Sequence, residues 1–153
     1  MLYKRILLPV DGSPLSTEAA RAGIEFARDM DAQAVALYVA PEFRYLMYGD
    51  MFPINELQED EYKAAETKAG ESYIKDIQDV ANEAKVNFTG KVVFSNYAAK
   101  EIVDTATKEG CDIIFMGSHG RGGAAQLVMG SVTSKVLSTC QIPVLVYREK
   151  KPA

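Results

Sequence analysis

The sequence predicts an α/β fold: a five-stranded open parallel sheet, strand order 3-2-1-4-5, with helices on both faces. Three observations lead there. Strand-like apolar runs alternate with helix-like amphipathic stretches along the whole chain, the pattern of linked βαβ units. The runs at 6–10 and 34–39 are apolar at almost every position instead of alternating, as in strands covered on both faces. At 153 residues the chain is long enough for one core, and no repeat or linker-like stretch divides it. Residues 1–148 are therefore expected to form one domain, with 149–153 as a polar tail.

Each element has its own signal. The first strand, 6–10, gives way to Asp11 and Gly12, a turn pair. Ser13 is placed to cap a helix with Pro14 at its first position. Ala19, Ala22, Gly23, Phe26 and Met30 then recur at helical spacing. The second strand is 34–39. A long helix runs from about Glu56 to Ala84 with Asn55 as its cap. Its apolar face is Ala69, Tyr73, Ile77, Val80 and Ala84, its solvated side Glu59, Asp60, Glu61 and Lys63, and Gly70 weakens its middle. A third strand spans 92–94. A third helix covers 98–108, with Ile102, Val103 and Ala106 inward and Gly110 as a left-handed cap. The fourth strand is 113–116, the last helix 128–139 and the fifth strand 142–147.

Composition narrows the partners. Seventeen basic and twenty-one acidic residues give a net charge of −4, which argues against nucleic acid or an anionic membrane as the main partner. No apolar run approaches the ~20 residues of a membrane span. The opening apolar run is too brief for an export signal, and Cys111 and Cys140 are the only cysteines. A reducing cytoplasm and two free structural thiols are the expectation.

The chemistry concentrates near the C-terminus. Gly117-Ser118-His119-Gly120 follows the apolar run 111–116; nine residues later comes Gly130-Ser131, opening a helix-like stretch. Strand, glycine-rich loop and helix N-terminus in that order bind phosphate through backbone N–H groups and the helix dipole. A nucleotide is the leading ligand; a helix entry holding only water or a dimer contact is the bland alternative. It is neither a Walker A motif, for want of Gly-Lys-Ser/Thr, nor the dinucleotide fingerprint, which sits on the first strand. With order 3-2-1-4-5, strands 1 and 4 are neighbours, so Asp11 and Gly117 face one crevice. A carboxylate there suits ribose hydroxyls rather than phosphate; the competing reading makes Asp11 a turn residue before Gly12. Val39, ending the second strand, can offer backbone groups to a base edge.

The joint pattern Gly117-x-x-Gly120, nine residues, Gly130-Ser131 resembles the ATP-binding signature of the universal stress protein family. The opening Ile6-Leu7-Leu8-Pro9-Val10-Asp11-Gly12-Ser13 and the closing Ile142-Pro143-Val144-Leu145-Val146 are similar to that family too, so the resemblance spans nearly the whole chain. It implies an adenine nucleotide alpha-hydrolase-like sheet, a homodimer, a role in stress response and, in one branch, bound ATP. In that branch Pro9, Asp11, Val39 and Met116 would surround adenosine, while Gly117, Gly120, Gly130, Ser131, Val132 and Thr133 would hold the phosphates. Mg²⁺ would accompany them. Cys140-Gln141-Ile142 makes the link to the last strand slightly longer than the family's pattern. The family's closing strand often pairs with its mate across the dimer axis; here that apolar edge is 144–147.

Other residues keep two readings. Arg121 is either a cation for the outer phosphates or an ordinary solvated arginine. His119, the single histidine, fits a phosphate contact or a hydrogen bond within the loop, and one histidine excludes a multi-histidine metal site. Ser131 is placed to cap the last helix, to bind phosphate, or both. The segment 41–53, rich in aromatics and methionine, folds over the nucleotide, meets a partner or tucks onto its own core. No Ser/His/Asp or Cys/His grouping is apparent, so no catalytic residue is assigned. A regulatory ATP-binding module leads; the alternative is a slow Mg-dependent ATPase or phosphoryl-transfer enzyme.

Overall fold

The computed structural model describes residues 2–43, 56–120 and 129–149. Five strands form one sheet in the order β3-β2-β1-β4-β5, every neighbouring pair parallel. They are β1 (Arg5–Pro9), β2 (Gln33–Ala40), β3 (Phe88–Phe94), β4 (Ile113–Gly117) and β5 (Val144–Tyr147). Between them run helices α1 (Pro14–Asp29), α2 (Glu56–Glu83), α3 (Ala98–Lys108) and α4 (Ser131–Thr139). The fold class and strand order are those the sequence predicts.

Two apolar layers sandwich the sheet. On one face Ile6, Leu8, Ala36 and Phe115 meet Ile24 of α1 and Ile77 of α2. On the other, Leu7, Val35, Leu37 and Ile114 meet Ile102 of α3 and Val136 of α4. Successive strand residues point to opposite faces and both are covered, which is why β1 and β2 read as continuous apolar runs.

Several boundaries differ from expectation for physical reasons. β3 begins at Phe88 rather than 92, pairing with β2 from Ala34↔Phe88 onward. Its first half is exposed at the sheet edge, so Thr89, Gly90 and Lys91 carry no apolar signal. β5 begins at Val144, because Pro143 has no N–H to give the ladder and contributes only its carbonyl, to Ile114 N–H at 3.0 Å. In α1 the expected Ala19 and Gly23 are buried together with Ala20, Ile24 and Ala27, while Ala22, Phe26 and Met30 flank them. Gly70 of α2 is buried where any Cβ would run into the Tyr38 ring, so the glycine brings helix and sheet together rather than marking weakness. The expected Asn55 cap, residues 44–53 of the aromatic segment and the terminal residues 150–153 lie outside the described residues.

At the strands' amino ends, three helices stop in the same way. Asp31 (φ 53°), Lys85 (φ 59°) and Gly110 (φ 67°) adopt left-handed backbone. The next N–H then reaches back to the last turn: Ala32 to Ala27 O (2.8 Å), Val86 to Ala81 O (2.9 Å) and Cys111 to Ala106 O (2.8 Å). These are Schellman closures, which satisfy helix-end carbonyls before the chain enters the next strand.

Candidate functional site

At the strands' carboxyl ends, β1 and β4 lie side by side, with Ile6↔Ile113 and Leu7↔Ile114 in register. The chain leaves β1 toward α1 on one face and β4 toward α4 on the other. That reversal makes the space outside the two strand ends, the crevice of open parallel sheets, the place where such folds take ligands.

The β1 wall is a turn whose polar groups are engaged with one another. Asp11 N–H donates to Ser16 Oγ at 3.0 Å, and Asp11 Oδ1 accepts from Ser13 N–H at 2.9 Å. Gly12 supplies the left-handed step, φ +80°. Ser13 is the N-cap of α1, its Oγ accepting from Ser16 N–H at 3.2 Å. The α1 terminus is thus closed by side chains, as Ser13 and Pro14 predict.

The β4 wall is built differently. Gly130 is the N-cap of α4, and among the described residues no side chain caps that end. Ser131, read as a cap, a phosphate ligand or both, is not the cap: it is the first helical residue and is exposed, and the helix starts three residues later than predicted. A helix start leaves its leading N–H groups, here those of Ser131, Val132 and Thr133, without a partner inside the helix itself. The loop holding them is tied down from within. Thr133, 2% exposed, donates its hydroxyl to Gly117 O at 2.9 Å. Gly130 N–H donates to Ser118 O, and Ser118 N–H to Tyr147 O, both at 2.8 Å. Ser118 Oγ lies 3.3 Å from His119 Nδ1.

The glycine spacing follows from this packing. A Cβ on Gly130 would sit 2.8 Å from His119 Cα, and one on Gly120 would run into the carboxylate of Asp11. Gly120 is therefore where the two walls touch, and Asp11 lies against the glycine loop as the strand order requires.

The other sequence-derived residues fall as follows. Pro9 ends β1, pairing with Leu37; Val39 lies two residues further along β2 and is half-buried. Met116 is 5% exposed with its side chain in the α3–α4 core, so its backbone is what it can turn to the crevice. Val132 is half-buried, and Arg121 lies outside the described residues. Sequence reasoning missed Ser16, whose signal was its place three residues after the Ser13 cap. It also missed the ties made by Ser118 and Tyr147, which carry no local signal because the partners are far apart in sequence. Cys111 is a core thiol: burial pushes its pKa up to about 11, leaving it protonated and inert.

Comparison with known proteins agrees with this architecture. The model of the universal stress protein family matches residues 2–148. Universal stress protein MJ0531 of Methanocaldococcus jannaschii is 33% identical over 153 residues, covering 98% of this chain and 85% of the relative. The solved structure of MJ0577, from the same organism, superposes with a TM-score of 0.83 at 28% identity, covering 99% of this chain and all of that one. A universal stress protein solved in complex with cAMP shares the fold at 17% identity, TM-score 0.67, with 97% of this chain and 98% of that one covered.

Proposed function

The chain belongs to the universal stress protein family, and we propose that within it the protein is an ATP-binding, homodimeric regulatory module of the cytoplasmic stress response. The observation that carries this reading is the pairing of an uncapped helix start at Gly130 with a carboxylate brought against the same loop at Gly120. Orphan N–H groups at the positive end of α4 suit phosphate oxygens. Asp11, across the crevice, suits the ribose hydroxyls, with Pro9, Val39 and Met116 around the adenosine. Gly117, Gly120, Gly130, Ser131, Val132 and Thr133 hold the phosphates chiefly through backbone, since the Thr133 hydroxyl is engaged with Gly117. Arg121 adds a cation at the outer phosphates. Mg²⁺, when bound, neutralises phosphate charge. Self-association runs through β5, a four-residue apolar edge that needs cover. No helix among the described residues is long and apolar enough to cross a membrane.

The test is mass spectrometry of nucleotide released by denaturing freshly purified protein, followed by calorimetric titration with ATP, ADP and AMP in Mg²⁺. Near-stoichiometric intact ATP is the expected result. Mostly ADP or AMP would favour turnover. No nucleotide and no heat of binding would overturn the site.

A further inference from the structure

The edge strand is wired to both walls of the crevice through a single residue. Among the described residues β5 pairs only with β4, over Ile114↔Val144 to Gly117↔Tyr147. The rung beyond that pairing is the bond from Ser118 N–H to Tyr147 O, at 2.8 Å, and its donor belongs to the glycine loop rather than to the strand. The carbonyl of the same Ser118 accepts from Gly130 N–H, at the cap of α4. Displacement at the α4 start therefore acts on Ser118, and through it on the end of β5.

The side chain of Tyr147 reaches the other wall. Its phenol donates to Glu18 Oε1 at 3.0 Å. Glu18 lies in the first turns of α1, whose cap Ser13 is bonded to Asp11. The Tyr147 ring also lies 6.4 Å from that of Phe115 in β4. Hydrogen bonding to Glu18 is the main influence holding the phenol above the usual tyrosine range.

We infer that Tyr147 couples occupancy of the β1–β4 crevice to self-association along β5. The inference rests on the ATP and dimer reading above and goes beyond it by naming the connecting residue and the sign of the effect. A ligand that fixes the glycine loop and the β1 turn fixes both anchors of Tyr147. An edge strand already ordered loses less freedom when it pairs with a second copy, so the occupied form associates more tightly. By reciprocity, the dimer binds the ligand more tightly by the same factor.

The experiment is sedimentation velocity across a dilution series, with and without saturating ATP and Mg²⁺. Calorimetry on the same samples establishes that ATP binds. For the wild-type chain the dimer dissociation constant is expected to fall at least fivefold with ATP. Tyr147→Phe keeps the ring and the backbone rung but removes the bond to Glu18; it should bring the ratio towards one while still binding ATP. Glu18→Gln retains an acceptor and should keep most of the ratio. A ratio of one in the wild type with ATP bound, or an undiminished ratio in Tyr147→Phe, would overturn the coupling. Absence of ATP binding in the calorimeter, or of self-association at any concentration, would instead bring down the underlying reading, and this inference with it.

Discussion

The two helix starts that flank the crevice solve the same problem in opposite ways. At α1, the Ser13 hydroxyl takes the N–H of Ser16, the Asp11 carboxylate takes that of Ser13, and the Ser16 hydroxyl takes that of Asp11. At α4, the cap is Gly130, which has no side chain to offer, and among the described residues no other side chain takes its place. Both ends carry the positive pole of a helix dipole, so electrostatics alone would make either an anion site. Capping separates them: α1 is a closed, structural terminus and α4 an open one. The difference gives the glycines of the loop a double purpose, since they leave donors uncapped and let His119 and Asp11 approach closely.

The contrast between the two termini depends most on Gly130. A methyl group there meets backbone, His119 Cα at 2.8 Å, and backbone does not yield cheaply. Gly130→Ala should lower ATP affinity by about 100-fold, close to 3 kcal/mol, in a calorimetric titration. Gly120→Ala meets the end of a side chain, the Asp11 carboxylate, which can swing away. Its stability cost should therefore depend on Asp11. In an Asp11→Ala background the urea midpoint should fall less than in the wild type, by about 1 kcal/mol of coupling. Additive costs would mean that the two residues do not press on each other. Ser13→Ala tests the closed end. It should destabilise the fold by about 1 kcal/mol on urea denaturation and leave ATP affinity within about twofold. A large loss of affinity there would dissolve the distinction between the two termini.

How much of this could be read beforehand depends on whether the signal is local. The α1 cap is written in consecutive residues, Ser13 and Pro14, and was legible. The strand order and the meeting of Asp11 with the glycine loop followed from chain topology and were legible as well. The open character of α4 was only half legible, because Ser131 looked like the cap while Gly130 takes that place. The difference lies in backbone: Gly130 is extended, φ −61° and ψ 154°, and its N–H is drawn onto Ser118 O, so the helix starts one residue beyond it. The face of α1 was half legible: Ala19 and Gly23 are buried as the spacing predicts, while Ala20, Ile24 and Ala27 complete that face and Ala22, Phe26 and Met30 flank it. Tyr147, whose partners are Ser118 and Glu18, left no trace in its neighbours. The early part of β3 was invisible for another reason: an exposed edge strand does not need to be apolar.

At the opposite ends of the helices the expected effects are small. Away from the crevice, α1 and α2 close through left-handed Asp31 and Lys85, where only Gly110 of α3 has the residue such a position favours. An L-residue there costs about 1–2 kcal/mol, and glycine recovers it less about 0.5–1 kcal/mol of chain entropy. Charge then separates the two sites. Asp31 places a negative charge at the negative pole of α1, whereas Lys85 places a positive one at that of α2. Asp31→Gly should therefore stabilise the protein by about 1 kcal/mol, while Lys85→Gly should be close to neutral. Urea denaturation measures both, and high salt should narrow the gap between them. ATP affinity should be unchanged in either variant, because these ends are satisfied within the fold and stand at the far edge of the sheet from Gly130. If Asp31→Gly proved destabilising, local closure of these helix ends would depend on the aspartate side chain rather than on backbone geometry, and glycine at Gly110 would not be the model for the other two.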